Sequence, residues 1–375
     1  MSLLEESDLL HARVRRYLAA AGAAEPFETL ALALARFQAR WIPGFARLLD
    51  ARSGSLEELA KVPGVPTDAF RLTRVAVHPP ELDEARFETS GTTGARAGVH
   101  ALRSTATYAA ISTWGARRAL LPPGVARAVV VGLAPCPGPA GRSSLGWMMR
   151  RLVEELDGRA LRVDATGAAF DADDPARWLA GGSGVDVAGL ERAARVARER
   201  AEPLVVLATA FALVRLVDDL DGRRVELPRG SVVMETGGFK GRSREVDPVD
   251  LRSAVERALR LAPGHVIGEY GMTELTSQLW EAPPWCASDS PRLRRFRPVP
   301  TLRVDPVDPV TLAPVPEGEL GIARITDLGN VDSAVVVLAQ DQVRRVGDEV
   351  ELLGRAPGAP ARGCSLALES LLGGA

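Results

Sequence analysis

The sequence predicts an α/β fold with a largely parallel sheet, and three observations support this prediction. Four short, continuously apolar runs have the length and composition of buried parallel strands. Between them lie stretches with helical periodicity, so strand and helix alternate along the chain. With 375 residues, of which 46% are hydrophobic and 25% charged, the chain can form one large domain or two without a disulfide or a metal to stabilise its core.

The elements are expected in a simple order. Residues 1–60 are predicted to be helical, with Pro43 kinking or dividing the segment because proline lacks a backbone N–H. Buried strands are predicted at 128–133, 204–207, 232–234 and 266–268, and helices at 105–120, 144–156, 187–201, 210–220 and 249–261. Later strand-like runs, separated by short turns, predict a smaller antiparallel region at 319–325, 334–338 and 343–353.

We therefore predict four parts of the chain. They are an N-terminal helical segment (1–60), an α/β core (61–297), a small antiparallel β subdomain of the same domain (298–353) and a short C-terminal segment (354–375). Within the last part, residues 364–372 are predicted to form one helix.

Charge and cysteine content argue against several classes of protein. A formal net charge of −2 gives no sign of a nucleic-acid partner or of a membrane surface. No apolar run reaches the ~18 residues needed to cross a bilayer, and residues 1–8 lack the basic region of a signal peptide. The three cysteines and four histidines show no metal-ligand spacing, which disfavours a zinc site, and unpaired cysteines fit a reducing compartment. We expect a cytoplasmic protein.

The most informative stretch runs from Glu88 to Gly94, Glu-Thr-Ser-Gly-Thr-Thr-Gly. Glycine lets the backbone approach a ligand, so that successive N–H groups and hydroxyls can surround an anion. No Gly-Lys-Ser/Thr follows, so this is not a Walker-type loop. The stretch predicts a phosphate-binding loop, and the alternative is a flexible surface turn.

A second cluster, from Gly268 to Glu274, follows the last predicted parallel strand. In α/β sheets, ligands bind at the carboxyl ends of strands. Tyr270 offers a ring on which a base can stack, and Thr273 offers a hydroxyl and an N–H at the start of a helix predicted at 275–280. Glu274 is an oxygen ligand of the kind that Mg²⁺ prefers. The alternative is an ordinary helix start with an acid near the positive end of the dipole.

Together the two clusters resemble the adenylate-forming superfamily, whose members use ATP to convert a carboxylate into an acyl adenylate and pyrophosphate. Further stretches are similar to its acyl-protein synthetase (LuxE-like) family, and the similarity spans roughly residues 60–372. These stretches are 65–71, 236–241, 269–278, 327–330 and 362–366. The resemblance implies a large N-terminal domain with parallel-rich sheets, a small β region and a truncated C-terminal domain.

The resemblance also implies roles for individual residues, with ATP and Mg²⁺ as the cofactors. Nucleotide-binding residues would be Thr89, Ser90, Gly91, Thr92, Thr93, Gly94, Gly237, Gly238, Tyr270, Gly271, Asp341 and Arg355. Thr89–Thr93 would hold the β- and γ-phosphates, and Asp341 and Arg355 would bind the ribose or a phosphate. Without a ligand role, Asp341 would be a turn residue between two strands and Arg355 a solvated arginine.

Four residues are implied in the reaction: Lys240, Thr273, Glu274, which would also bind the metal, and Cys364. Lys240 is one of only two lysines, and it is either a point charge near phosphate or carboxylate or a surface residue. Family members pass the acyl group to a cysteine, which implies a thioester on Cys364, and then to a partner reductase. Arg362 would favour its thiolate, and the alternative is a small buried apolar residue.

The sequence departs from the superfamily in two respects. No lysine follows Lys240, although typical members carry a catalytic lysine in a mobile C-terminal domain. After the phosphate loop, Arg96-Ala97-Gly98 stands where many members have Pro-Lys-Gly.

The leading hypothesis is an ATP-dependent acid–thiol ligase acting on a carboxylic acid, most simply a fatty acid. The alternatives are a ligase that passes the acyl group to CoA, a carrier protein or an amine, and a non-catalytic nucleotide- or acyl-binding partner of a reductase.

Overall fold

The computed structural model describes residues 1–89, 97–138, 141–161, 170–182, 184–237, 246–286, 294–355, 367–368 and 371–372. The chain forms two compact units that alternate along the sequence. Unit 1 combines Met1–Ile111, Met272–Leu279 and Arg294–Ala375, and unit 2 combines Ser112–Gly271 and Trp280–Leu293. The predicted division into four parts remains a prediction.

Helices and strands alternate through the middle of the chain. Within the described residues the α-helices are α1 (Leu3–Ala19), α2 (Phe27–Trp41), α3 (Pro43–Ala51), α4 (Ala69–Leu72), α5 (Ala106–Leu120), α6 (Ser144–Leu156), α7 (Val187–Glu199), α8 (Ala210–Leu220) and α9 (Pro248–Leu259). The strands are β1 (Val65–Pro66), β2 (Ala85–Glu88), β3 (Val99–Leu102), β4 (Val129–Leu133), β5 (Ala180–Gly181), β6 (Gly184–Val185), β7 (Leu204–Thr209), β8 (Val232–Thr236), β9 (Val266–Tyr270), β10 (Leu279–Glu281), β11 (Arg295–Pro298), β12 (Leu302–Val307), β13 (Leu320–Asp327), β14 (Val336–Val346) and β15 (Glu349–Arg355).

Unit 2 is built on a parallel sheet with the strand order β4-β7-β8-β9. Alternate residues of these strands point to one face, where they form a buried apolar cluster with α7, α8 and α9. The three helices begin at the polar caps Asp186, Thr209 and Asp247, whose side chains accept hydrogen bonds from first-turn N–H groups. The carboxyl ends of the four strands lie at one edge, at Leu133, Thr209, Thr236 and Tyr270.

Unit 1 contains an antiparallel sheet in the order β12-β13-β14-β15-β11, with β1 added in parallel beside β14. A separate hairpin pairs β2 with β3. The N-terminal helices are tied to this unit by Gln38 of α2, whose buried amide donates to the Asn330 carbonyl at 2.7 Å and accepts from the Val335 N–H at 2.8 Å. Ser2 and Glu5 form a capping box at the start of α1.

The fold class predicted from the sequence is confirmed, and so are its parallel strands and five alternating helices. Pro43 is the first residue of α3, so it divides the N-terminal helical segment as predicted. Strands were predicted to stop at 338 and resume at 343, but β14 is continuous through these residues. The predicted C-terminal helix lies mostly outside the described residues.

The helix predicted at 275–280 is wrong. Turns follow Tyr270, and the chain then enters β10. The physical reason is that the backbone N–H groups of Thr276 and Ser277 donate to the Asp327 carboxylate, at 2.8 and 2.9 Å. These groups are therefore satisfied outside a helix, and threonine and serine are weak helix formers. Thr273 consequently has no helix dipole behind it.

Candidate functional site

In unit 2, the candidate residues lie at the carboxyl ends of β8 and β9. Gly237 follows β8 directly and has φ +71, a left-handed conformation that favours glycine. Among the residues that the structure describes, none lies within 4 Å of a Cβ atom added there. The backbone conformation, and not crowding by these residues, therefore favours glycine at this position. Tyr270 ends β9 and is half-buried, and Gly271 after it is exposed.

Between these positions lies a buried carboxyl group that the sequence analysis did not select. Glu269 is paired with Thr236 across β8 and β9, and the Thr236 hydroxyl donates to its carboxylate. Both side chains point away from the face that α7, α8 and α9 cover, because they alternate with residues of that cluster. Burial raises the pKa of Glu269 from 4.5 to about 7, and the Thr236 hydrogen bond opposes the shift.

On the covered face, the same strand ends are held by an ion cluster. Arg252 of α9 lies 2.7 Å from both the Glu235 and Glu281 carboxylates. Glu281 also accepts the Gly268 backbone N–H at 2.6 Å. The cluster joins β8, α9 and β10. Through the Gly268 N–H it also holds β9 near its end.

In unit 1, the hairpin of β2 and β3 brackets the predicted phosphate loop. Thr89 closes the neck of the loop, because its N–H donates to the Gly98 carbonyl at 2.9 Å and its hydroxyl accepts the Gly98 N–H at 2.8 Å. The hydroxyl predicted to bind phosphate is thus engaged in the backbone of the hairpin. Loop residues Ser90, Gly91, Thr92, Thr93 and Gly94 lie outside the described residues.

His100, on β3, contacts the second cluster directly. Its Nδ1 lies 2.7 Å from the Thr273 carbonyl oxygen, and its Nε2 lies 2.7 Å from the Ser333 hydroxyl. Complete burial lowers the pKa of His100 to about 4, so the ring is neutral at physiological pH. A carbonyl can only accept, so Nδ1 carries the hydrogen and Nε2 accepts from Ser333.

The segment after Thr273 is held by the Asp327–Asn330 stretch. The Asp327 carboxylate accepts the Ser277 hydroxyl at 2.6 Å in addition to the two backbone N–H groups, and the Asn330 amide donates to the Glu274 carbonyl at 2.9 Å. Burial raises the pKa of Asp327, and these hydrogen bonds act against it. Glu274, the predicted metal ligand, is largely buried. The stretch thus shapes the backbone that presents Thr273 and Glu274.

The structure places the two predicted ribose-binding residues opposite each other. Asp341 of β14 and Arg355 of β15 are cross-strand partners, and Arg355 Nε lies 3.8 Å from the Asp341 carboxylate. A register shift follows Asp341 in this pairing, and the Arg355 side chain is 78% exposed. Asp341 is therefore a strand residue beside a bulge and not a residue of a turn between two strands.

The remaining predicted residues are Gly238, Lys240 and Cys364, and all three lie outside the described residues. Two other cysteines are described, Cys136 and Cys286, and both are free and exposed. Across the described part of the chain there is no group of three or more His, Cys, Asp or Glu side chains that could hold a metal ion. In the same residues, no helix is both long and apolar enough to cross a membrane.

Sequence reasoning missed Glu269, His100, Ser333 and the role of Asp327. His100 and Glu269 each carried a weak signal, since each is a polar residue within a short strand that borders one of the two motifs. The Asp327 stretch was noticed only through family resemblance. Nothing in one sequence indicates that its carboxylate accepts hydrogen bonds from residues about fifty positions earlier.

No protein-family model matches this sequence, and no curated protein matches it either. Solved structures of 2-hydroxyisobutyryl-CoA ligase (HCL) do match. HCL with 2-HIB-AMP and CoA in the thioesterification state is 14% identical, and the match covers 95% of this chain and 69% of HCL, with a TM-score of 0.58. The open conformation with the same ligands is 14% identical, and the match covers 88% of this chain and 69% of HCL, with a TM-score of 0.57. The postadenylation state with R3-HIB-AMP is 13% identical, and the match covers 88% of this chain and 67% of HCL, with a TM-score of 0.57.

At these identities the comparison shows the fold. The chain has the α/β fold of adenylate-forming enzymes, as its two motifs predicted.

Proposed function

We propose that this protein is an ATP- and Mg²⁺-dependent ligase that activates a carboxylic acid, most simply a fatty acid, as its acyl adenylate. The observation that carries the proposal is the fold: structures of HCL that hold an acyl adenylate match up to 95% of this chain. The two sequence motifs expected in such an enzyme lie at strand ends, Thr89 beside β2 and Tyr270 at the end of β9.

In the proposed first step, a carboxylate oxygen of the acid attacks the α-phosphorus of ATP. A new phosphorus–oxygen bond forms, the bond to the β-phosphate oxygen breaks, and pyrophosphate leaves. Thr89–Gly94 and Thr273 would bind the phosphates, and Tyr270 would stack on the base. Asp341 and Arg355 would hold the ribose, since they are cross-strand partners in the β14–β15 pair. Glu274 would bind Mg²⁺ together with substrate phosphates.

In the proposed second step, which follows the resemblance to acyl-protein synthetases, the Cys364 thiolate attacks the acyl carbonyl carbon. A carbon–sulfur bond forms, the carbon–oxygen bond to AMP breaks, and AMP leaves. An acyl reductase or another acceptor protein would then take the acyl group. Transfer to CoA is the second candidate, because the matching HCL structures contain CoA.

The first test is ATP–pyrophosphate exchange with Mg²⁺ across a panel of straight-chain and aromatic acids. We expect exchange with one class of acid, lost in Glu274→Gln and retained in Glu191→Gln, which alters an exposed glutamate of α7. Exchange that survives in Glu274→Gln would remove this residue from the proposed metal site. No exchange with any acid would contradict adenylation and would favour a nucleotide- or acyl-binding partner of a reductase.

The second test follows acyl transfer with a radiolabelled acid. We expect ATP-dependent label on the protein that hydroxylamine releases, as it does from thioesters. Cys364→Ser should lose the label but keep pyrophosphate exchange. Cys136→Ser and Cys286→Ser are matched controls at the two exposed free cysteines and should keep both activities. Full labelling of Cys364→Ser, or label that appears on added CoA instead, would contradict transfer to Cys364.

A further inference from the structure

His100 joins two segments of unit 1. One segment is the β2–β3 hairpin, whose strands lead into and out of residues 90–96. In this hairpin His100 is the cross-strand partner of Phe87, and Val99 is the partner of Glu88. Only Val99 separates His100 from Gly98, whose two hydrogen bonds with Thr89 close the hairpin neck. His100 therefore lies two residues from the neck along the chain.

The other segment is Thr273–Ser277, whose backbone is held at several points. Asn330 binds the Glu274 carbonyl, and Asp327 binds the N–H groups of Thr276 and Ser277. Both of these anchors belong to the Asp327–Asn330 stretch, which begins at the last residue of β13. Among the contacts described above, the one to the Thr273 carbonyl is made by His100 and comes from the β2–β3 hairpin. This contact therefore joins the hairpin to the segment.

The surroundings of the imidazole restrict it to one orientation. The Ser333 hydroxyl donates to Nε2, and Phe70 packs edge-on against the ring, with centroids 5.5 Å apart and planes at 80°. Only 1% of the His100 residue surface is exposed. A rigid ring with a donor on one side and an acceptor on the other spans the gap between a carbonyl and a hydroxyl.

We propose that His100 is a positioning residue that holds the β2–β3 hairpin and the Thr273–Glu274 segment at the separation that ATP phosphates require. The role rests on the proposed function, because that function assigns the phosphates to these two segments. His100 touches neither nucleotide nor acid in this proposal. It acts through the Thr273 carbonyl on one side and through β3 on the other.

The test compares the affinities for ATP and AMP, measured by titration calorimetry with Mg²⁺. Loss of one hydrogen bond should weaken ATP binding by roughly five- to tenfold in His100→Ala. AMP lacks the β- and γ-phosphates, so its affinity should stay unchanged. His100→Asn should restore most of the ATP affinity, because its amide can donate to Thr273 from the position of Nδ1. Ser333→Ala removes only the second contact and should have the smaller effect.

The matched control is His11→Asn. His11 is also a buried histidine of unit 1 with two ring contacts, to Thr107 at 2.8 Å and to Asp332 at 3.1 Å, but neither contact involves the Thr273 segment. It should leave ATP affinity unchanged. An equal loss of ATP and AMP affinity in His100→Ala, no recovery in His100→Asn, or the same loss in His11→Asn would overturn the proposal.

Hydrogen exchange of the free protein separates this proposal from the proposed function. In His100→Ala, amides of 97–102 and 272–279 should exchange faster than in the wild type, and His100→Asn should reverse the change. Unchanged exchange in both segments would overturn the proposed positioning role of His100, whether or not the protein binds ATP. A wild-type protein that binds no ATP, but shows the expected exchange in His100→Ala, would instead refute the proposed function.

Discussion

Glu269 shows how strongly a single buried residue can affect the pH dependence of this protein. Its carboxyl group has a pKa of about 7 in the folded protein and an ordinary value of 4.5 when exposed. Between these pH values the folded protein holds a proton that the unfolded chain has released. The stability contributed by this group is therefore fully present below about pH 4.5 and is lost as the pH rises to about 7.

We predict that Glu269→Gln removes this pH dependence. Glutamine has nearly the same shape and can still accept the Thr236 hydroxyl, but it does not ionise. The difference in unfolding free energy between the variant and the wild type should grow in favour of the variant by about 3 kcal/mol from pH 4.5 to pH 8. Urea unfolding at a series of pH values measures it. A difference that stays constant with pH would show that the pKa of Glu269 is the same in the folded protein and in the unfolded chain.

At the scale of single residues, the predicted roles stay predictions, and the structure adds contacts that the sequence did not indicate. Thr89 was predicted to bind phosphate, which stays a prediction, and the structure shows that its hydroxyl also accepts the Gly98 N–H. Gly237 was predicted to bind nucleotide, and its φ of +71 shows that the backbone conformation also favours glycine there. Such contacts depend on which backbone groups the fold brings near a side chain, and one sequence does not encode that locally.

At the scale of elements, the segment after Glu274 is held by hydrogen bonds to Asp327 and does not form the predicted helix. Its buried carboxylate accepts hydrogen bonds from Thr276, Ser277 and Gly329, which would otherwise leave buried N–H groups without a partner. The local sequence of 275–280 contains no sign of this, because the acceptor belongs to β13. Predicted strands succeeded where the predicted helix failed, since a buried parallel strand is apolar throughout its own length.

We predict that Asp327→Asn destabilises the protein by about 3 kcal/mol, because the amide nitrogen cannot accept the hydrogen bonds that one carboxylate oxygen receives. Urea unfolding of the variant measures the loss. Asp308→Asn is the matched control, because Asp308 also accepts backbone N–H groups, from Val310 and Thr311, but lies in an exposed turn. Its effect should be much smaller. Equal effects at the two positions would show that burial of Asp327 adds nothing.

At the scale of the whole molecule, the sequence predicted the fold class, whereas the division into four parts stays a prediction. The four apolar runs became β4, β7, β8 and β9, and the two motifs led to the fold that HCL shares. Unit 1, however, gathers three separate stretches of chain. No composition shift marks residues 272–279 as belonging with it, because their membership depends on contacts such as that of Thr276 with Asp327.

The division of unit 1 into separate stretches has a consequence for synthesis on the ribosome. Gln38 of α2 can form its hydrogen bond to Asn330 only after 292 further residues have been synthesised. At typical rates of elongation this interval lasts roughly 15–60 s. The sheet of unit 2 comes from one nearly continuous stretch and can fold during that time. The apolar faces of α1, α2 and α3 are meanwhile exposed on the nascent chain. We therefore expect chaperones to bind the nascent protein at these helices.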